Sequence, residues 1–249
     1  MIGGSPPPPA TRQSLVRQLR ALGVQPGALL MVHASLRRLG PVVGGAGEVL
    51  EALREAIDAR GTLVMVLGAD PTRPFDAQRS PAEQEIGALA EVFRRRPDTW
   101  VNDHAAGRFG ASGPQARSLL HDLPLHDYHG SGSVVARFTE AGGAVLRLGA
   151  DVDTVTVTHW AEYLAQIPFK RRVRIAYRRA DIGEQWIEGL DDSNGIVDWT
   201  GGDYFSRIWI DYHSAGHPAV GRVGSCEAEL FNARHFVDFA VRWMEAKLR

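Results

Sequence analysis

Apolar residues recur along this chain with two rhythms, and the alternation between them outlines a fold. Leu15, Val16, Leu19 and Leu22 fall at helical spacing between Thr11 and Gly23, and Gly23 supplies a stop, so this stretch reads as an amphipathic helix. After the turn Gln25-Pro-Gly27, Ala28-Leu-Leu-Met-Val-His33 is a continuous apolar run that reads as a strand buried on both faces. Gly45 to Ile57 returns to helical spacing, and Gly61-Thr-Leu-Val-Met-Val-Leu67 is a second buried strand. Strand, helix, strand in this order implies a right-handed parallel crossover.

From Gly68 to Glu85 the chain is polar and turn-rich, with Asp70, Asp76, Glu83 and Glu85. A loop of this length inside a compact domain is more often functional than idle. Helix resumes over Ile86 to Arg96, followed by a loop or short strand around residues 102–106. Short helices at 116–120 and 133–140 flank a histidine-rich loop, and Gly142 to Gly149 reads as a short buried strand before a helix opening at Trp160. Arg171 to Ala176 and Glu184 to Ile187 pattern as antiparallel strands, and Ala233 to Leu248 is a strongly periodic closing helix. No repeat, linker or second compositional regime interrupts the chain. The pattern therefore predicts an α/β fold in a single domain over 11–249, with a mostly parallel central sheet flanked by helices and a small antiparallel β excursion after His159. Residues 1–10, rich in Pro and Gly, read as a mobile arm.

Charge narrows the class of partner. The 249 residues carry 28 Lys and Arg against 29 Asp and Glu, a formal net charge of −1, so no field favours a nucleic-acid backbone or an anionic membrane. The single cysteine, Cys226, cannot form an internal disulfide and suits a reducing compartment. The first residues lack a basic start and an apolar core, and no apolar run approaches membrane-spanning length, so a cytoplasmic location is expected.

Four constellations carry candidate chemistry. His159 closes the run Gly149-Ala-Asp-Val-Asp-Thr-Val-Thr-Val-Thr-His159 at a strand-to-helix crossover, and ligands collect outside the carboxyl ends of strands in open α/β sheets. A histidine there either moves a proton near neutral pH or caps the helix; Asp153, Thr156 and Glu162 are close enough in sequence to orient it or to hold a substrate amine. His33 to Gly47, with Gly40, Gly44, Gly45 and Gly47, is a loop whose backbone either approaches a phosphate at a helix start or simply turns tightly; it matches neither a dinucleotide fingerprint nor a Walker loop. His121, His126 and His129 invite a zinc reading without any H-E-x-x-H or cysteine pair to support it, against a turn-rich surface loop; His129, beside Gly130, is also a candidate substrate contact. Asp191 and Asp192 sit in a turn and either face solvent or join Asp70, Asp76 and Asp153 around an acidic cleft for a polycation. Serine-hydrolase chemistry is disfavoured because Gly110-Ala-Ser112-Gly places its glycine one position off the nucleophile elbow, and Cys226 reads as a small buried residue.

Taken together, four ordered stretches resemble the aminoglycoside 3-N-acetyltransferases, a family whose fold is distinct from that of the GCN5-related acetyltransferases. They are Val32-His-Ala-Ser-Leu-Arg with Gly40-Pro-Val-Val-Gly-Gly45, Leu148-Gly-Ala with Asp153 to Glu162, Asp192-Ser-Asn-Gly-Ile196, and Val223-Gly-Ser-Cys-Glu-Ala-Glu-Leu-Phe231. The Thr156-x-x-His159-x-x-Glu162 pattern after a Leu-Gly strand end is the specific one. The resemblance runs from Thr11 to Leu248 and implies acetyl transfer from acetyl-CoA, with no metal, to the 3-amino group of a 2-deoxystreptamine aminoglycoside, conferring resistance. It implies His159 as general base with Thr156 near the thioester and Glu162 beside it. It also implies a cofactor loop of His33, Ser35, Leu36, Gly40, Val42, Val43, Gly44 and Gly45, and antibiotic contacts from Asp70, His129, Asp153, Asp191 and Asp192. The chain departs from many relatives at His104-Ala and Val155, which bears on substrate range. Other readings are an acyl-CoA-dependent N-acyltransferase on another small amine, a non-catalytic CoA- or polycation-binding protein, and a zinc hydrolase. A monomer or homodimer is expected.

Overall fold

The computed structural model describes residues 8–249. Residues 1–7 of the expected arm lie outside them, while Ala10, at its end, is bridged to Val42 and so held against the body of the protein. The chain runs α1 (Arg12–Leu22), β1 (Leu29–Ala34), α2 (Leu36–Leu39), α3 (Ala46–Ile57), β2 (Thr62–Val66), α4 (Ala88–Arg94), β3 (Trp100–Val101), β4 (Phe109–Ser112), α5 (Ala116–Leu120), α6 (Val134–Glu140), β5 (Ala144–Leu148), α7 (Thr158–Leu164), β6 (Arg172–Arg179), β7 (Gly183–Leu190), α8 (Tyr204–Ser214), β8 (Ala219–Val223), β9 (Cys226–Asn232) and α9 (Ala233–Lys247). The caps that frame α1 are those its sequence signals: the Thr11 side chain accepts from Ser14 N, and Gly23 takes the left-handed conformation at the end.

Seven strands form the main sheet in the order β3-β4-β2-β1-β5-β9-β8. The centre is parallel, β2 to β1 to β5, as the crossover pattern requires. Strands β4 and β9 run against their neighbours, so the sheet is mixed: five of seven strands point one way, yet only the two central pairings are parallel. The antiparallel flanks arise from strands the hydrophobic pattern does not announce. β4 is the small-residue run Phe109-Gly-Ala-Ser112, and β8 to β9 is a two-residue hairpin at Gly224-Ser225. One face of the sheet buries α1, α3 and α4 through residues such as Leu19, Leu53 and Phe93. The other buries α5 to α9 through Phe138, Tyr212 and Phe236.

The antiparallel excursion is a separate two-stranded sheet, β6 paired with β7 over eight residues each. Its inner face, at Tyr177 and Ile187, packs on Phe75 and Tyr128, so it pins the long loop of residues 68–83 onto the domain. Phe75 N donates to Arg178 O and Ala180 N to Phe75 O.

Chain β1 is where the connections part, to β2 on one side and to β5 on the other. That topological switch opens a crevice at the carboxyl ends of these strands. Among the described residues no helix is long and apolar enough to cross a membrane. Phe138 lies in the larger core with no exposed surface. Phe138→Ala should lower unfolding free energy by about 3–5 kcal/mol in urea titration, and a loss near zero would show that this layer is not packed as described.

Candidate active site

Gly149 ends β5 at φ +61, and a β-carbon there would stand 2.9 Å from Arg38 Cβ and 3.0 Å from Cys226 Cβ. Only glycine therefore lets the chain turn at this point. The following turn is fixed from both sides: Arg147 Nη2 donates to Asp151 O at 2.6 Å, and Arg38 Nη1 to Gly149 O at 2.8 Å. Helix α7 then begins at Thr158, two residues ahead of the sequence expectation of Trp160, so His159 sits inside the helix's first turn.

That placement puts Glu162 one helical turn on, on the same face. His159 Nδ1 and Glu162 Oε2 are 2.9 Å apart. Glu162 is almost wholly buried, and its other oxygen accepts from the Tyr204 hydroxyl, which itself accepts from Ile196 N. Glu162 is thus a fixed acceptor that assigns the Nδ1 proton and leaves Nε2 for chemistry. Burial of the His159 ring pulls its pKa down, but the Glu162 hydrogen bond and charge, aided by Asp192, outweigh it, and the ring titrates above its ordinary value.

Two cavities draw lining residues from the segment 150–159. The first, about 450 Å³, lies at the switch point and is lined by His33, Ser35, Leu36, Met65, the start of α4 at Gly87 to Ala90, and Asp151, Thr154 and Thr156. Its lining is mainly apolar, with one buried polar atom, His33 Nε2, left without a partner. Burial, and then the charge of Arg147, press the His33 pKa down to about 3, so this ring is neutral. Arg37 also lines the cavity, exposed and with no ion-pair partner among the described residues. The second cavity, about 690 Å³, contains Asp153, His159, Asp192, Asp198, Trp199, Asp203 and Phe205, with no lysine or arginine on its wall.

The sequence-predicted residues divide between these places and elsewhere. His33, Ser35, Leu36 and Thr156 line the first cavity, and Asp153, His159 and Asp192 the second. Gly40, Val42, Val43, Gly44 and Gly45 do not line the first cavity. Gly40 packs where a β-carbon would stand 2.5 Å from Ser225 Oγ, and Val42 bridges Ala10, so this stretch shapes the loop from behind. The helix start that faces the cavity is that of α4, not of α3. Asp70 is taken up by Thr72 and Arg73 away from both cavities. Asp191 is buried and caps its own turn, accepting from Ser193 N and Asn194 N at 3.1 and 2.9 Å. Its neighbour Asp192 faces the cavity and accepts from the Tyr128 hydroxyl at 2.6 Å.

The three histidines of the zinc reading do not converge: His121 pairs with Asp122, His126 accepts from Glu188 N, and His129 stacks on His159. Among the described residues the only group whose ligand atoms come together is His213, Glu227 and Glu229, which contains none of them. Cys226 is buried, and burial pushes its thiol up to about 11, so it supplies no thiolate near neutral pH. His104, one of the departures, is a strut: Nδ1 accepts from Gly107 N and Nε2 faces Leu125 O. The sequence reading missed Tyr204, Phe205, Trp199, Asp198 and Asp203. The Asp203 side chain accepts from Phe205 N and Ser206 N, and an aspartate ahead of periodic Ile208, Trp209 and Tyr212 was the available signal for α8.

A protein-family model described as aminoglycoside 3-N-acetyltransferase matches residues 31–245. The chain belongs to the aminoglycoside 3-N-acetyltransferase family. It is 36% identical to aminoglycoside N(3)-acetyltransferase VII of Streptomyces paromomycinus, over 96% of this chain and 93% of that protein. It is equally 36% identical to aminoglycoside N(3)-acetyltransferase III of Serratia marcescens, over 94% of this chain and 97% of that protein. Among solved structures it superposes with a TM-score of 0.91 on AAC-IIIb in binary complex with CoASH, at 35% identity, covering 95% of this chain and 97% of that one. It superposes with a TM-score of 0.88 on AAC-VIa bound to sisomicin, at 33% identity, covering 96% of this chain and 98% of that one.

Within this member of the acetyltransferase family, Glu162 does more than Asp192 to raise the histidine's pKa. Glu162→Gln should lower the His159 pKa, read by NMR titration of the imidazole. The native ring holds its proton more tightly than an unfolded one, so the contact stabilises the fold below the ordinary histidine value of 6.5 and fades as pH rises past the native value. An unchanged titration in the folded variant would remove Glu162 from the pair.

Proposed function

We propose that the protein transfers the acetyl group of acetyl-CoA to the 3-amino group of a 2-deoxystreptamine aminoglycoside, by direct attack of the amine with His159 as general base, and so confers resistance. The observation that carries this reading is the position of His159: its ring opens on the acidic cavity, while Thr156, whose backbone oxygen accepts from His159 N at 3.1 Å, lines the other cavity. A base is thus placed where two ligands of opposite character come together.

The acidic wall suits a polycation, and Asp153 and Asp192 are its carboxylates nearest in role to ammonium partners. The apolar cavity suits a pantetheine arm, with His33, Ser35, Leu36 and Thr156 along it and unpaired Arg37 available to a phosphate. An ammonium cannot attack a carbonyl, so His159 Nε2 must accept the proton as the amine nitrogen closes on the thioester carbon. The C–N bond forms, the negative charge on oxygen is met by donors near Thr156 or the backbone, and the C–S bond then breaks. The departing thiolate takes up the proton that His159 held, which restores the neutral base. No side chain need be acylated. The same reading keeps the protein in the cytoplasm, where acetyl-CoA is supplied, as a monomer or homodimer.

A thiol-release assay with acetyl-CoA and a panel of aminoglycosides tests the reading, and absence of thiol release across the panel would end it. His159→Ala should reduce kcat about 10²- to 10⁴-fold while calorimetry shows CoA affinity little changed; near-normal kcat from pH 6 to 9 would displace the histidine. Asp192→Asn should weaken aminoglycoside binding about tenfold or more with CoA unaffected, and wild-type antibiotic affinity should fall as salt rises. Equal loss for both ligands would contradict an acidic substrate cavity.

A further inference from the structure

One group against the proposed base has no task in the steps above. His129 is buried, and its ring lies face to face with that of His159, the centroids 4.6 Å apart and the planes 9° from parallel. Its hydrogen-bonding capacity is almost unused: Nδ1 is buried without a partner, and Nε2 stands 3.8 Å from Asp192 Oδ2. What the side chain offers is a flat, rigid face.

The loop that carries it is built to hold that face still. Asp127 N donates to Glu188 O, and the Tyr163 hydroxyl to Asp127 Oδ1. Gly130 leaves space that a β-carbon would close, at 3.0 Å from the Tyr163 ring, and the Tyr128 ring packs 4.7 Å from that of His129. Ser133 then caps α6.

We propose that His129 is a positioning residue for the acetyl transfer: stacked on His159, it holds the base's imidazole in the plane that keeps Nδ1 on Glu162 and Nε2 open to the acidic cavity. The proposal rests on the reading of His159 as general base. A ring free to turn about its side-chain bonds spends most of its time out of line, and a misplacement of about 1 Å is enough to cost on the order of a hundredfold in rate.

The charges around the pair allow only one ring to be protonated. Glu162 from α7, backed by Tyr204 from α8, and Asp192 from the turn after β7 favour charge on His159. Asp153 faces the same cavity. Burial, then the neighbouring His159 and His104, drive the pKa of His129 well below the ordinary histidine value. The neutral partner can therefore stay stacked while His159 takes and returns its proton, without repulsion between two imidazoliums.

Three substitutions separate the flat face from mere volume: His129→Phe keeps an aromatic plane, His129→Leu keeps bulk without one, and His129→Ala keeps neither. With folding checked by thermal melting, His129→Phe should retain kcat within about threefold, while the leucine and alanine variants lose about ten- to a hundredfold at little change in KM. Proton NMR of the enzyme without substrates should show a protected downfield Nδ1 proton of His159 in wild type and His129→Phe, broadened or lost in His129→Leu. If His129→Phe is as inactive as His159→Ala, the second histidine moves a proton and the proposal is overturned. Leucine or alanine variants with wild-type kcat and an intact resonance overturn it equally. A wild-type protein that acetylates nothing fails the functional reading, whereas the NMR signature reports on the stack without any turnover.

Discussion

A guanidinium with almost no exposed surface lies at the centre of this fold. Arg147, on β5, has its charge met by Glu229 across the sheet at 3.3 Å, by the carbonyls of Ala150 and Asp151, and by the Trp209 face at 3.9 Å. An unpaired charge at this depth costs several kcal/mol, so each of these partners must stay in place. They belong to β9, to the turn after β5 and to α8, so one charge registers three elements that the backbone ladder alone would leave free to shift. Burial, and secondarily this same charge, keeps His33 neutral in the next strand.

What Arg147 holds is the turn between two cavities. Asp151 and Thr154 face the cavity at the switch point, and Asp153 and His159 face the acidic one. A turn with such a role cannot be loose, and the second arginine, Arg38, grips it from the opposite element at Gly149 O and Asp151. The base, its orienting carboxylate and one strip of each cavity's wall are thus positions on one turn and the first turn of one helix.

Much of this was legible in the sequence, and the parts that were not share a cause. Long apolar runs and strong helical periods marked β1, β2, α1, α3 and α9 to within a few residues. β4 was silent because Phe109-Gly-Ala-Ser112 is too small and short to alternate, and β9 because Glu229, buried beside Arg147, puts charge where an apolar residue is expected. The polar pairing across β5 and β9 is a tertiary fact that no local pattern carries. At the site, His159, Thr156 and Glu162 stood out through the Thr-x-x-His-x-x-Glu spacing after a strand end, whereas Tyr204 lies 42 residues from its partner Glu162 and has no local mark. Asp191 and Asp192 look equivalent in sequence, yet a one-residue step sends the first into its own turn and the second toward the cavity.

The near balance of charge hides a segregation that the fold creates. With 28 basic against 29 acidic residues the whole chain repels neither sign of ligand. Inside the domain the balance does not hold locally. The wall around His159 carries aspartates and no basic residue, whereas the other cavity mixes signs, with Arg37, Glu85 and Asp151 on its wall and no ion pair to Arg37 among the described residues. The cavity at His159 therefore favours cations, and the mixed lining of the other does not. The neutral pair His33 and His129 then makes sense as a common device. Each is a buried imidazole whose pKa that burial holds down, so neither adds positive charge where, in the proposed mechanism, His159 alone gains and loses it.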